Sequence, residues 1–363
     1  MSSKIVTFIL GNGFDLQMGL KTRYSDFYKT YSKPKDTDKE HIKKFKEILK
    51  NPEWETWADF ELGMGKYSNE FDGDKAADNF AECISDFTTN FNSYLEDQCS
   101  KVDFSTLDVR VYKKFEESVS QFYNLLGSED SSKMRAFLGS RYSINFLQFN
   151  YTNIFYDLII NGEIDKNLTY PVYNNVGHLL KNHCRIENIL HIHGKMGKNG
   201  NMVMGVNDTS QILNPNIREN KIIQHSFVKH MFLDYLQEQN INFKTDCTKA
   251  IQIINGSDVI CTFGASIGDT DKRWWQEIGK RLVNEPSSLL IIFDIYETEA
   301  NGIDPILTAK SKVKRDEQRD YLYNQFKKLS ELDDEWFENN YHRIIIELNT
   351  NLFGFKLISE DES

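Results

Sequence analysis

Buried-strand patterns alternate with helical patterns over most of the chain. The apolar run from Lys4 to Leu10 predicts a strand, a helix is expected near Phe14, and a second helix is predicted from Thr22. Further strands are predicted at 144–149, 188–193, 202–206, 258–263, 288–296 and 343–348, and further helices at 154–160, 217–239, 271–283 and 312–329. Strands separated by helix-length segments favour parallel pairing through right-handed crossovers. The expected fold class is therefore α/β, a Rossmann-like parallel sheet flanked by helices.

The hydrophobic pattern changes between residues 34 and 143, where apolar residues recur at helical spacing among polar residues. This pattern predicts a large all-helical insertion at 34–143. Residues 1–33 and 144–358 would then form one discontinuous nucleotide-binding domain, followed by an acidic tail at 359–363. Inside the insertion, Trp54, Trp57, Phe60 and Leu62 surround Asp59 and Glu61, and this aromatic group is interpreted as packing.

Composition narrows the classes of partner. The formal charge of -11 disfavours an extended nucleic-acid surface. No apolar run reaches the ~18 residues of a membrane span, and the first residues lack a signal-peptide layout, so we expect a cytoplasmic protein without membrane contact. The five scattered cysteines form no CxxC pair, and no metal site is predicted.

The turn after the first strand contains Gly11, Asn12 and Gly13, followed by Asp15. Two glycines at a strand-to-helix junction permit close backbone approach to a phosphate, whose charge the helix N-terminus favours. A purely structural turn explains the same glycines equally well. Leu16 stands where a dinucleotide oxidoreductase has its third glycine, so hydride transfer is a weak interpretation.

Three later strand ends carry polar residues. Asn150 and Thr152 follow the predicted strand 144–149, where an Asn can orient a sugar hydroxyl or a water, or can cap the next helix. His191 and His193 close the strand 188–193, and His193 is the candidate proton acceptor, although a core histidine is the commoner role. No third metal ligand accompanies this histidine pair at a recognisable spacing.

The fourth strand end is the segment FGASIGD, with Gly264, Ser266 and Asp269. Gly264 permits close approach, while Ser266 and Asp269 can cap a helix or bind ribose hydroxyls. Because ligands of parallel sheets gather outside the carboxyl ends of the strands, four such turns predict one shared site.

These motifs resemble the AbiH family of bacterial abortive-infection proteins. The resemblance rests on GNGFDLQMGLKTRYSDF, on FNYT at 149–152, on HIHG at 191–194 and on GASIGDTD, which together span residues 11–271. It implies a role in phage defence, with a homo-oligomer or a partner protein of the same defence system compatible with the sequence.

More distantly, the chain is similar to the sirtuin-like NAD-binding superfamily. The glycines at 11, 13 and 19 match its first motif, Asn150 its Q-N-x-D motif, His193-Gly194 its histidine-glycine motif, and Gly264-Ala265-Ser266 its G-T-S segment. Thr152 departs from this pattern, which has Asp there, and the four-cysteine zinc module of deacetylases is missing.

This likeness implies a sirtuin-like fold and NAD as a substrate cleaved at its nicotinamide–ribose bond. Asn150 and His193 would be catalytic, and Gly11, Asn12, Gly13, Asp15, Thr152, Gly264, Ser266 and Asp269 would bind the nucleotide. Two alternatives stay open: a non-catalytic nucleotide sensor or interaction module, favoured by Thr152, and a nuclease-type toxin.

Overall fold

The computed structural model describes residues 3–49, 57–173, 179–198, 201–232, 243–296, 305–348 and 352–358. The predicted tail at 359–363 and Trp54 lie outside these ranges. No helix within them is long and apolar enough to cross a membrane.

Seven strands form one sheet. They are β1 Lys4–Leu10, β2 Arg141–Gln148, β3 Asn167–Tyr173, β4 Leu179–His191, β5 Val259–Phe263, β6 Leu289–Asp294 and β7 Ile344–Leu348. The α-helices are α1 Asn12–Gln17, α2 Tyr24–Tyr31, α3 Glu40–Ile48, α4 Trp57–Tyr67, α5 Ala76–Ser100, α6 Val109–Ser120, α7 Ser128–Leu138, α8 Ile154–Asn161, α9 Pro215–Arg218, α10 Lys221–Phe227, α11 Phe243–Gly256, α12 Lys272–Asn284, α13 Pro305–Ser330 and α14 Asp334–Asn340.

The sheet has a Rossmann-like strand order. Its spatial order is β3-β4-β2-β1-β5-β6-β7, and every pair is parallel except the edge pair of β3 with β4. Taken along the chain, the six parallel strands lie in the order third, second, first, fourth, fifth, sixth, which is the order of doubly wound dinucleotide-binding sheets. The order reverses between β1 and β5, so the topological switch point lies there.

Alternation along the strands buries both faces of the sheet. On β1, Phe8 and Leu10 join one hydrophobic cluster and Ile9 joins the other. The first cluster contains α8, the α6–α7 region and residues 352–358, and the second contains α11 to α14. A third cluster, mainly helical, packs α2 to α5 against residues 204–228 around stacked rings such as Phe60 and Phe87, whose centroids lie 4.6 Å apart.

The segment predicted as an insertion is helical where described, but it contributes to two cores. Phe115 and Phe122 pack against the sheet, whereas Phe80 and Phe87 belong to the helical cluster. Strand β2 begins at Arg141, three residues before the predicted boundary at 144. The division into a nucleotide-binding domain and an insertion therefore stays a prediction.

The predicted strand at 202–206 is wrong. Only Val206 makes a bridge, with Val228. Gly205 has φ +140° and donates its N–H to Glu61 Oε1 at 3.0 Å, so this segment is tied to α4 by a side chain and not by a ladder. The edge strand β3 was not predicted.

The predicted helix 217–239 is interrupted. Helix α9 ends at Arg218, Asn220 caps α10 by accepting from Ile222 N–H at 2.9 Å, and Val228 is extended. Residues 233–239 of that prediction lie outside the described ranges.

Glycine is required where the turns after β1 and β5 meet. A Cβ on Gly13 would stand 2.4 Å from Gly264 Cα, and Gly264 itself has φ +63°. Because no real Cβ tolerates such a distance to backbone, Gly13→Ala must push the two turns apart.

We expect Gly13→Ala to lower the melting temperature by at least about 2 °C, since overpacking costs ~1–3 kcal/mol and each kcal/mol lowers the melting temperature of a large domain by about 2 °C or more. Gly127→Ala is the matched control, because no heavy atom lies within 4 Å of its Cβ position. Thermal unfolding followed by circular dichroism measures both. Equal melting temperatures for the two variants would contradict the contact.

Candidate functional site

Four predicted strand ends lie side by side at one edge of the sheet. Strands β4, β2, β1 and β5 are neighbours, and their carboxyl ends lead into His193, Asn150, Gly11 and Gly264. The site residues that follow these strands therefore come from segments more than 200 residues apart in the chain.

The glycine turns are packed against each other. Gly11 N–H donates to Phe263 O at 3.0 Å, and Gly13 N–H donates to Gly264 O at 2.9 Å. Their missing side chains are thus accounted for by close backbone contact between the turns. In this conformation both N–H groups form hydrogen bonds within the protein.

Asp15, Asn150 and Thr152 form a buried polar cluster beside those turns. Asp15 Oδ1 accepts from Asn150 Nδ2 at 3.0 Å and from Thr152 Oγ1 at 2.8 Å. All three residues are at most 4% exposed. The helix α1 and the turn after β2 are therefore joined by a carboxylate that the sequence placed among the nucleotide-binding residues.

The surroundings of Asp15 change its acidity. Burial raises the pKa of Asp15 to about 7, although the hydrogen bonds from Thr152 and Asn150 act in the opposite direction. An acid that titrates near neutral pH in a buried site can either accept or donate a proton there.

His193 lies at the end of β4, against different partners. Its Nδ1 is 3.1 Å from Phe149 O, and its Nε2 is 3.0 Å from Asp271 Oδ1. Nδ1 donates to Phe149 O, while Nε2 lies close to Asp271 without forming a hydrogen bond to a described residue. The first contact also fixes the peptide that precedes Asn150, so His193 is linked to the Asp15 cluster through the backbone.

Asp271 belongs to a buried charge network that sequence reasoning missed. Lys229 Nζ lies 3.0 Å from Asp271 Oδ1 and 2.9 Å from Glu61 Oε2. Burial would raise the pKa of Asp271, but Lys229 and His193 hold it well below its usual range. Burial raises the pKa of Glu61, opposed mainly by Lys229. The network joins helix α4 to the ends of β4 and β5.

The sequence held only a weak signal for this network. Glu61 was assigned to an aromatic packing group, and Lys229 lay inside a segment predicted as one long helix. Their positions differ by 168 residues, so nothing local pairs them.

The other predicted nucleotide-binding residues have separate contacts. Asn12 donates its side-chain amide to Thr22 O at 3.0 Å. Ser266 is exposed, and Asp269 Oδ2 lies 3.2 Å from Lys328 Nζ at the surface. The structure therefore places Asp15, Asn150 and Thr152 in direct contact and gives Asn12 and Asp269 partners of their own.

A metal site in a protein is built from several closely grouped ligand side chains. Over the described ranges, no three His, Cys, Asp or Glu side chains are grouped as around a metal ion.

A Rossmann-ordered sheet with a polar cluster buried at its carboxyl edge defines an α/β protein of the doubly wound class. Within that class, the family model "Bacteriophage abortive infection AbiH" matches residues 7–293, and the chain belongs to the AbiH family. This confirms the resemblance seen in the sequence and, with it, a role in phage abortive infection. Comparison with curated proteins finds no match for the chain.

The acidity of Asp15 predicts a pH-dependent stability. The folded protein keeps a proton on Asp15 up to about pH 7, whereas the unfolded chain loses it near the ordinary aspartate pKa of 3.8. Stability therefore falls as pH rises from about 4 to about 7 and levels off above that range. Asp15→Asn cannot ionise and still offers an acceptor oxygen, so its melting temperature should exceed that of the wild type at pH 8, with the gap closing towards pH 4.

The control is Asp72→Asn, which replaces an exposed carboxyl. Melting curves between pH 4 and 8 measure all three proteins. A gap between Asp15→Asn and wild type that does not change with pH would refute the raised pKa.

Proposed function

We propose that this AbiH protein is an abortive-infection effector that binds NAD at the carboxyl edge of the sheet and hydrolyses its nicotinamide–ribose bond. The observation that carries the proposal is the buried Asp15–Asn150–Thr152 cluster, which lies beside the switch point of a Rossmann-ordered sheet. Phage defence comes from the family, and the nucleotide and the reaction are proposed from the site and from the sirtuin-like motifs.

The reaction needs charge stabilisation and an oriented water. When the bond from ribose C1′ to the ring nitrogen breaks, nicotinamide leaves as a neutral molecule and positive charge develops on the ribose. Water adds to C1′ and loses one proton, which gives ADP-ribose. A carboxylate near C1′ stabilises the developing cation, and a base accepts the proton.

Asp15 suits both tasks. Its pKa of about 7 means that an ionised fraction exists at neutral pH, and the same group is basic enough to accept a proton. Asn150 binds Asp15 through Nδ2 and leaves Oδ1 buried without a hydrogen-bond partner among the described residues. In the proposal, Oδ1 orients the water or a ribose hydroxyl with one of its two lone pairs.

His193 was proposed from the sequence as the base. Its contact with Asp271 must break before Nε2 can accept a proton, whereas Asp15 needs no such change. In the observed arrangement His193 acts as a positioning residue that holds the turn carrying Asn150. The pyrophosphate would lie along the glycine turn and Ser266 would contact the adenine-side ribose, as the sirtuin-like motifs imply.

A non-catalytic nucleotide sensor is the second candidate. Thr152 stands in place of the sirtuin-like Asp, and both nitrogens of His193 face acceptors. Both features favour binding without turnover. Nothing in the described residues favours a nuclease.

Release of nicotinamide tests the proposal. Wild-type protein incubated with NAD, and cells expressing it during phage infection, should accumulate nicotinamide and ADP-ribose as measured by chromatography. Asp15→Asn and Asn150→Ala should reduce the rate by about 100-fold or more, the usual contribution of acid–base groups.

Asn153→Ala is the control, because Asn153 lies three residues from Asn150 and its side chain caps no helix. It should keep the wild-type rate. Cells that resist phage with unchanged NAD levels would exclude hydrolysis, and NAD binding by that same protein would then support the sensor.

A further inference from the structure

A second set of polar side chains lies at the same edge of the sheet, next to Asn150. Gln148 and His191 are the last residues of β2 and β4 and are paired in register. Gln148 is fully buried, and its Nε2 lies 3.3 Å from His191 Nε2. None of the motifs assigned a role to Gln148.

This set leaves buried polar atoms unpaired. Among the described residues, Gln148 Oε1 and Asn150 Oδ1 have no hydrogen-bond partner. Turning the Gln148 amide by 180° would exchange its two atoms but still leave one of them unpaired. Folded proteins rarely bury such atoms, because each unmade hydrogen bond costs about 1–3 kcal/mol. Two of them on neighbouring residues favour a ligand that donates hydrogen bonds at this edge of the sheet.

His191 has its partners within the protein. Burial lowers the pKa of His191 to about 4, so the ring is neutral at physiological pH. In the observed orientation Gln148 Nε2 donates to His191 Nε2, and the ring also hydrogen-bonds the backbone of Asn150. The set therefore leaves a ligand two acceptors, Gln148 Oε1 and Asn150 Oδ1.

We propose that Gln148 and Asn150 form a recognition site for a planar, amide-type edge of the bound nucleotide, one that carries an N–H₂ donor. Two parts of a nicotinamide dinucleotide have this edge: the carboxamide of nicotinamide and the amino edge of adenine. The inference rests on the proposed nucleotide binding but does not require hydrolysis.

Pairs of mononucleotides that differ only at this edge provide the test. Nicotinamide mononucleotide is compared with nicotinic acid mononucleotide, and AMP is compared with IMP, by isothermal titration calorimetry on the full chain. In each pair the second compound lacks the amino group. Wild-type protein should bind the amino compound of one pair at least about tenfold more tightly, because the analogue leaves buried acceptors unpaired.

Gln148→Met tests the assignment to this side chain. Methionine keeps the length and lacks the acceptor, so the tenfold preference should fall to about twofold or less while the analogue binds as before. Asn145→Leu is the matched control, because Asn145 is a buried amide on the same strand whose Oδ1 already accepts from Asn188 at 2.6 Å. This control should keep the preference, and circular dichroism verifies that both variants fold.

The outcomes separate the sources and the hypotheses. A preference within the nicotinamide pair assigns the carboxamide, and one within the adenine pair assigns the purine. Equal binding within both pairs, absence of binding by all four compounds, or a preference that survives in Gln148→Met overturns the recognition site. A retained preference in a protein that releases no nicotinamide would overturn only the hydrolysis.

Discussion

The arrangement of this protein depends on the backbone contact between the turns that follow β1 and β5. Gly13 and Gly264 approach so closely that a Cβ on either would overlap the other's backbone. This contact closes the switch point of the sheet and sets helix α1 directly against it. It also uses Gly11 N–H and Gly13 N–H internally, so the polar side chains lie to one side, towards β2 and β4.

Two consequences follow for the edge of the sheet. With α1 held in place, Asp15 meets Asn150 and Thr152, and burial brings the pKa of the carboxyl to about 7. The end of β4 is held separately, because His193 contacts Asp271, and Lys229 extends that contact to Glu61 on α4. The helical cluster and the sheet therefore share a buried charge network, and removing Lys229 would leave the carboxylates of Glu61 and Asp271 buried without the cation that joins them.

The sequence predicted what local pattern determines. Apolar runs located β1, β2, β5, β6 and β7 to within a few residues, since buried parallel strands have that signature. Strand β3, an edge strand that contains Pro171, lacks such an apolar run. The stretch 202–206 has an apolar run but does not pair in the sheet. The stretch 202–206 does not join the sheet because Gly205 has a positive φ and turns the chain away from a strand ladder.

The candidate site divides in the same way. The sequence pointed to Asp15, Asn150, Thr152 and His193 because they follow predicted parallel strands, and parallel strands end at the same edge of a sheet. The contacts among them, the partners Lys229 and Glu61, and the unpaired atoms of Gln148 depend on packing between distant segments. The glycines of the turns show what sequence cannot distinguish. The same glycine pattern allows close approach of a phosphate or of another stretch of backbone.

Binding of a nucleotide against the ends of β2 and β4 is tested most directly by hydrogen–deuterium exchange with and without NAD or ADP-ribose. Bound nucleotide should slow exchange at residues 149–153 and 192–198 and leave exchange in helix α5 unchanged. Unchanged exchange at both strand ends in saturating ligand, or protection confined to residues 204–228 of the helical cluster, would contradict it.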